Sequence, residues 1–226
     1  MKDNETPGAQ KNLLVEPINV MKRNVKSLQE DILKDPTDIA TYVKLINLCM
    51  KLGDYNKIEC YAHRALKMKP DEPDILNLLG VTYYKQHKGD DAITTFKHLM
   101  TVETKSVRAL VNLGLVFMVV KCDAAKAIEQ LKEAVKLDEK NGTAWTALGQ
   151  AYLKTGDFDA ALDAFHHAFK LDDKCKQAIV GIADAHFGAK QYDDAIDYYE
   201  RALVVDGRCP FAMYGLFHVY EMPQKE

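Results

Sequence analysis

The sequence predicts an all-α fold, an α-solenoid of about five stacked helix-turn-helix repeats with a capping helix at each end. Three observations predict it. An apolar skeleton recurs about every 34 residues, the apolar residues within each copy have helical spacing, and small residues stand where two helices must approach closely. A bundle of unrelated amphipathic helices would show the helical spacing without the longer period. The recurrence therefore decides the architecture.

The clearest copy of this skeleton begins at Gly142. The pattern of its first helix is Trp145-x-x-Leu148-Gly149-x-x-Tyr152, and that of its second is Ala161-x-x-x-Phe165. Gly149 lets the second helix approach the first, and Asp157 precedes the second helix in a capping position, as Asp54 does in an earlier copy. The pattern resembles that of tetratricopeptide-repeat (TPR) proteins and lacks only the family's final proline.

The TPR resemblance covers residues 39–209. It divides them into five repeats, numbered 1 to 5 in chain order: 39–72, 73–106, 107–141, 142–175 and 176–209. Repeat 3 needs one inserted residue near Cys122-Asp123 to stay in register. The resemblance implies a right-handed superhelix, in which the first helix of each repeat lines a concave groove and the second lies mostly on the convex side.

Both ends of the chain carry shorter helical patterns. Residues 18–38 resemble half of a degenerate repeat and predict an N-terminal capping helix, and residues 210–222 repeat a first helix alone and predict a C-terminal capping helix. Residues 1–17 and 223–226 are predicted to be disordered. Alternatively, the apolar residues of the N-terminal segment dock on a neighbouring copy or on the first repeat.

The TPR resemblance also implies which side chains face the groove. In repeats 1 and 2 these are Lys44, Asn47, Lys51, Asn77, Val81, Tyr84 and Lys85. In repeats 3 and 4 they include Arg108, Asn112, Leu115, Met118, Val119 and Gln150, which complete the candidate peptide-binding set. In repeat 5 the corresponding positions include Gln177, Val180, Gly181 and Asp184.

The residue types in this groove indicate a protein partner. Exposed apolar surface usually marks an interaction site, so we expect a peptide or helical segment with apolar anchors and an acidic group, held by asparagine side chains. The alternative is a closed groove in which Met118, Val119 and their neighbours pack between helices. The carboxylate clamp of chaperone-binding TPR domains is not expected, because Val43 and Leu78 replace its first lysine and its next asparagine.

Composition and motifs argue against other classes of function. A net charge of -3 over 226 residues gives no field that would attract nucleic acid. The five cysteines are odd in number and form no C-x-x-C, which argues against a disulfide framework and a zinc site. The adjacent pair His166-His167 cannot chelate one ion, because neighbouring side chains on a helix diverge by about 100°. No phosphate loop, nucleophile elbow or zinc-protease motif occurs, so no catalytic residue, metal or cofactor is predicted.

The predicted function is a non-enzymatic scaffold or adaptor that binds a partner's peptide or helix in the groove. The predicted location is the cytoplasm, because the N-terminus lacks a signal-peptide core and no run of residues is apolar enough to span a membrane. One alternative is a self-assembling scaffold that oligomerises through its N-terminal segment, for example to coat an organelle or complex. Some bacterial TPR scaffolds of the magnetosome-associated kind are self-assembling coats. Another is an RNA-binding helical repeat, disfavoured because few groove positions in repeats 4 and 5 are basic.

Overall fold

The computed structural model describes the backbone of residues 7–221 and the side chains of residues 17–221, and all regular structure in this part of the chain is helical, as predicted. A π-helical turn at Val116–Val120 continues the sixth helix. The α-helices are α1 Pro7–Lys34, α2 Ile39–Leu52, α3 Tyr55–Met68, α4 Pro73–Lys85, α5 Gly89–Val102, α6 Val107–Leu115, α7 Ala124–Leu137, α8 Gly142–Thr155, α9 Phe158–Leu171, α10 Lys176–Gly188, α11 Tyr192–Val205 and α12 Pro210–Glu221.

The helices form two compact groups, which we call the N-terminal half (α1 to α5) and the C-terminal half (α6 to α12). In the N-terminal half α2 packs on α3, α4 on α5, and α1 covers α2. In the C-terminal half α6, α8 and α10 pack on α7, α9 and α11 respectively, and α12 packs on α10 and α11. Each of the five predicted repeats thus contains one pair of packed helices.

The N-terminal helix differs from the range predicted for it. α1 extends from Pro7 to Lys34 and passes through residue 17, where the sequence suggested a boundary between a separate segment and a capping helix. Pro17 lies inside this helix, although proline removes one backbone hydrogen bond there. The predictions for residues 1–6 and for residues 222–226 lie outside the described residues.

The turns inside the repeats show why the second helices begin where they do. The side chain of Asp54 accepts a hydrogen bond from the Lys57 backbone at 3.3 Å, and that of Asp157 accepts one from Ala160 at 3.2 Å. These contacts confirm the two predicted N-caps. Asp123 caps α7 in the same way, at 3.1 Å from the Lys126 nitrogen. Each cap satisfies a backbone donor that the first turn of a helix would leave unpaired.

The additional residue of repeat 3 is taken up inside the first helix and not in the turn near Cys122-Asp123 where the sequence suggested it. The backbone nitrogen of Lys121 donates to the carbonyl of Val116 at 3.0 Å, a bond that spans five residues. Such a π-turn accommodates one extra residue within a helix. The Asp123 cap keeps the position found in the other repeats, although the Asp123 backbone nitrogen donates to Phe117, six residues back, where the Asp54 and Asp157 nitrogens donate five residues back.

The residue that closes this turn adopts a left-handed backbone in all five repeats. It is glycine at Gly53 and Gly156, where φ is 71° and 76°, but not at His87, Cys122 or Lys190, where φ is 60°, 53° and 63°. A left-handed conformation costs an L-residue with a side chain about 1 to 2 kcal/mol. These three turns are therefore strained.

Lys190→Gly is expected to raise the free energy of unfolding by about 0.5 to 1 kcal/mol, because the relief of strain exceeds the entropy that glycine adds to the unfolded chain. Urea denaturation measures the change. The reverse substitution at the equivalent turn, Gly156→Lys, should lower stability by a comparable amount. A gain from both substitutions would contradict the argument from backbone conformation.

Tyr42 of α2 is a fully buried aromatic residue whose hydroxyl has no hydrogen-bond partner among the described residues. Burial raises the pKa of this phenol. Since an unpaired buried hydroxyl is destabilising, Tyr42→Phe should raise the free energy of unfolding by about 1 kcal/mol in urea denaturation. Tyr199→Phe is the control, because the Tyr199 hydroxyl donates to Asp184 at 2.5 Å. It should be destabilising, and a loss at both positions would contradict the prediction.

Candidate functional site

A cavity of about 490 Å³ lies between α1 and α2 in the N-terminal half. Three of the predicted groove residues, Lys44, Asn47 and Lys51, line it from α2. The other lining residues are Asn24, Ser27 and Leu28 of α1 and Leu48 of α2. The apolar residues on the opposite face of α2 are buried, among them Tyr42, Leu45 and Cys49, so the helix presents its polar face to the cavity.

The charges of this cavity are all of one sign. Lys44 and Lys51 are exposed, and the lining contains no carboxylate to neutralise them. Asn47 lies between them on the same helical face, and its side-chain nitrogen donates to the Val43 carbonyl at 2.9 Å. The amide oxygen can still accept a hydrogen bond. The cavity is therefore suited to an anionic group with a neighbouring hydrogen-bond donor.

The predicted residues of repeat 2 lie along α4. Asn77, Val81 and Tyr84 are half-buried, whereas Lys85 is exposed. The Lys85 ammonium lies 5.8 Å from the centre of the Tyr84 ring, close enough for a cation–π contact. Residues spaced three, four and seven apart share one face of a helix. This face therefore combines an amide, an aliphatic group, an aromatic ring and a positive charge.

The apolar centre predicted for repeat 3 is smaller than the sequence suggested. Met118 is only 4% exposed and packs in the core, so it is not available to a ligand in this structure. The π-turn changes the direction of the side chains that follow Val116 relative to a regular helix. Val119 is 42% exposed, and Leu115 is half-buried. The closed arrangement thus applies to Met118 and not to Val119. The polar residues predicted with them, Arg108 and Asn112, are half-buried.

A second cavity, of about 340 Å³, lies among α8, α10 and α12 in the C-terminal half. Gln150 is the predicted groove residue that lines it. The family positions of repeat 5 supply four more lining residues, Gln177, Val180, Gly181 and Asp184. The rest of the lining is Leu153, Phe165, Lys176, Asp206, Cys209, Pro210 and Phe211. Apolar and aromatic walls with a few polar groups are typical of ligand sites.

Two carboxylates in the second cavity differ in their partners. The Lys176 ammonium lies 2.8 Å from Asp206, and this hydrogen bond holds the pKa of Asp206 below its usual value. Asp184 instead accepts a hydrogen bond from the Tyr199 hydroxyl at 2.5 Å. Protein atoms crowd the Asp184 carboxyl although solvent reaches it, and this desolvation raises its pKa in spite of the hydrogen bond.

The adjacent histidines of α9 make aromatic contacts. The His167 ring stacks on Trp145 with 4.3 Å between ring centres, and the His166 ring meets Tyr198 edge-on at 6.2 Å. The described residues include no cluster of three or more histidine, cysteine or acidic side chains that is placed to hold a metal ion. None of the helices in that part of the chain is long and apolar enough to cross a membrane.

The stability of the protein is expected to depend on the ionisation of His166. Burial lowers the pKa of His166 from its ordinary 6.5, and the neighbouring His186 and Lys170 act in the same direction. The unfolded chain then binds the proton more readily, so stability falls as the pH drops through 6.5 towards the lower pKa of the folded state. Chemical denaturation between about pH 7 and pH 5 should show this loss, and His166→Gln should reduce it. Equal pH dependence in both proteins would contradict the assignment.

Two repeat-family models match the chain. A model described as a TPR repeat matches residues 123–156, and one described as a tetratricopeptide repeat matches residues 146–213. The chain is 25% identical over 122 residues to BBSome complex member bbs-4 of Caenorhabditis elegans, across 54% of this chain and 26% of that protein. It is 30% identical over 109 residues to tetratricopeptide repeat protein 5 of Mus musculus, across 44% of this chain and 24% of that protein. The matches thus span about a quarter of each relative's length.

Solved structures resemble the chain over most of its length. YrrB, a TPR protein with an unusual peptide-binding site, superposes with a TM-score of 0.60 and 17% identity, across 84% of this chain and 97% of YrrB. MamA superposes with a TM-score of 0.61 and 24% identity, across 83% of this chain and 97% of MamA. The Cut9–Hcn1 assembly superposes with a TM-score of 0.77 and 19% identity, across 90% of this chain and 40% of the matched chain. At these identities the likeness concerns the fold.

The packed helix pairs, the capped turns and these matches agree on one architecture. The two family models together cover residues 123–213, and the solved structures extend the likeness beyond them. None of the matches singles out one subfamily. The chain is a member of the tetratricopeptide-repeat family, with the all-α solenoid fold of that family.

Proposed function

We propose that this chain is a non-enzymatic scaffold or adaptor that binds a peptide or helical segment of a partner protein on the first helices of its repeats. TPR proteins are in general protein–protein interaction scaffolds and not enzymes. The observation that carries the proposal is the cavity between α1 and α2, where Lys44, Asn47 and Lys51 meet. Two ammonium groups with no carboxylate in the lining favour a partner that supplies an acidic side chain or a carboxyl terminus.

The remaining predicted residues fit an extended contact on each half separately. In the N-terminal half, α4 adds the amide of Asn77 and the Tyr84 ring. In the C-terminal half, Leu115 and Val119 offer apolar surface beside the basic Arg108. An amphipathic peptide buries its apolar side chains on such a surface and pairs its polar groups with amides and charges. YrrB, of the same fold, has a peptide-binding site, which is compatible with this use of the repeats.

A selection from a phage-displayed library of random dodecapeptides tests the proposal. The immobilised full chain should enrich peptides that carry Asp or Glu beside apolar residues. Lys44→Glu with Lys51→Glu should abolish that preference, because the substitutions reverse the charge of the cavity. The matched control, Lys67→Glu with Lys136→Glu, changes two exposed lysines outside the cavity and should retain it. Failure of the wild-type chain to enrich any peptide would refute the proposal.

A second candidate function is self-assembly through the N-terminal helix. Ile18 and Val20 of α1 are 42% and 47% exposed, and isolated apolar groups on a helix can pack on a second copy. Multi-angle light scattering of the full chain and of a variant lacking residues 1–23 tests the candidate. A lower mass for the shortened chain is expected, and the same mass for both would exclude it.

A further inference from the structure

The cavity of the C-terminal half is lined by apolar and aromatic side chains, and a long side chain could enter it. Leu153 and Val180 line it from α8 and α10, and Phe211 lines it from the start of α12 with 73% of its own surface exposed. The Phe165 ring lies against Gly181, so close that a Cβ there would collide with it, and this ring lines the cavity together with the two aliphatic residues. A volume of about 340 Å³ is at the small end of ligand cavities.

Asp184 places one carboxylate in this cavity without a compensating cation. Among residues 17–221 no basic group forms an ion pair with it, and its observed partner is the Tyr199 hydroxyl. The one lysine in the lining, Lys176, is engaged with Asp206 at 2.8 Å. Asp184 is solvent-accessible, so a cation brought by a ligand can reach the carboxylate and form a charge-assisted hydrogen bond with it.

We infer that this cavity binds a lysine or arginine side chain of a partner peptide, with the aliphatic stem against Leu153, Val180 and Phe211 and the cationic group on Asp184. The inference rests on the proposed function and adds to it a site in the C-terminal half that takes a side chain of the opposite charge. A long basic side chain suits both parts of the cavity, because its stem is apolar and its end is charged.

Other occupants fit the cavity less well. An acidic side chain would place a second negative charge beside Asp184, and like charges repel strongly where solvent is partly excluded. An aliphatic or aromatic side chain would bury the carboxylate further without pairing it. A lysine or arginine side chain is the class that satisfies the walls and the charge together.

Synthetic peptides taken from the library selection described above test the inference. Fluorescence anisotropy measures the affinity of the full chain for a selected peptide and for the same peptide with its basic residue replaced by norleucine. We expect the norleucine peptide to bind about tenfold more weakly, the loss of one charge-assisted hydrogen bond. The Asp184→Asn variant should bind the basic peptide more weakly than the wild type by a similar factor. On Asp184→Asn the two peptides should then bind alike, since the two groups act as a pair.

Two controls separate the pairing from a general effect. Asp163→Asn removes an exposed carboxylate of α9 outside the cavity and should leave both affinities unchanged. Thermal melting should show that Asp184→Asn is at least as stable as the wild type, because asparagine still accepts from Tyr199 and carries no charge to desolvate. Phe211→Ala, at an exposed position, should lower the affinity for the basic peptide without unfolding the chain.

The outcomes are distinct for the two proposals. The absence of any selected peptide whose affinity falls on Asp184→Asn, or an equal norleucine effect on the wild type and on Asp184→Asn, would overturn the cation site and leave peptide binding in place. The absence of any selected peptide would overturn both.

Discussion

Phe165→Ala is expected to lower the free energy of unfolding of the C-terminal half by about 4 kcal/mol, the usual cost of removing a buried phenylalanine ring. Phe165 is 0% exposed. Its ring occupies the space left by two glycines, since a Cβ on Gly149 or on Gly181 would collide with it. The ring therefore fills the seam between α8, α9 and α10, and its removal leaves a cavity that the surrounding backbone cannot close.

Urea denaturation followed by circular dichroism measures this effect. Phe217→Ala is the matched control, because it removes the same side chain from α12 at a position that is 55% exposed. Its effect should stay within about 0.5 kcal/mol. Equal losses at the two positions would show that the Phe165 ring does not hold the seam together.

The helix pairs could be predicted from the sequence because the repeat pattern marks both the end of the first helix and the start of the second. Gly156 closes the first helix of repeat 4, and Asp157 caps the second. The same two residue types recur at Gly53 and Asp54 in repeat 1. Where the glycine is missing, as at Lys190, the register of the other positions still places the turn, so the pattern predicts the fold even where local preference opposes it.

The position of the additional residue in repeat 3 could not be predicted in the same way. Counting residues shows that one is inserted before Asp123, but a turn and a π-turn accommodate it equally well in the sequence. Packing decides between them, because the π-turn at Val116–Val120 places Met118 in the core. A choice of this kind depends on contacts between helices, which a periodic pattern does not describe.

The candidate sites were predictable in part. The family positions place Lys44, Asn47 and Lys51 on one face of α2, and the structure brings them together in a cavity. The contribution of α1 to that cavity was not predicted, since residues 18–38 match only half of a degenerate repeat and the family pattern assigns no groove position there. The environment of Asp184 depends on the Tyr199 hydroxyl of α11, a second helix that the family pattern does not place in the groove.

Gly149→Ala is expected to lower the free energy of unfolding by about 1 to 2 kcal/mol, although alanine is more favourable than glycine inside a helix by about 1 kcal/mol. The added Cβ would lie 2.7 Å from the Phe165 ring, which is buried and has no room to move away. Gly142→Ala in the same helix is the control. Its Cβ would meet nothing closer than Leu171 at 4.0 Å, so the change should stay within about 0.5 kcal/mol.

The sign of the Gly149→Ala effect should depend on the ring that opposes it. In the Phe165→Ala background the collision disappears, and the helical preference of alanine remains. Gly149→Ala should then raise stability by up to about 1 kcal/mol, so the two substitutions are strongly non-additive in a double-mutant cycle of urea midpoints. A loss of the same size in both backgrounds would mean that Gly149 is required for its backbone and not for the approach of α9. A gain in stability in the Phe165→Ala background is the result expected if Gly149 is required for the close approach of α8 and α9.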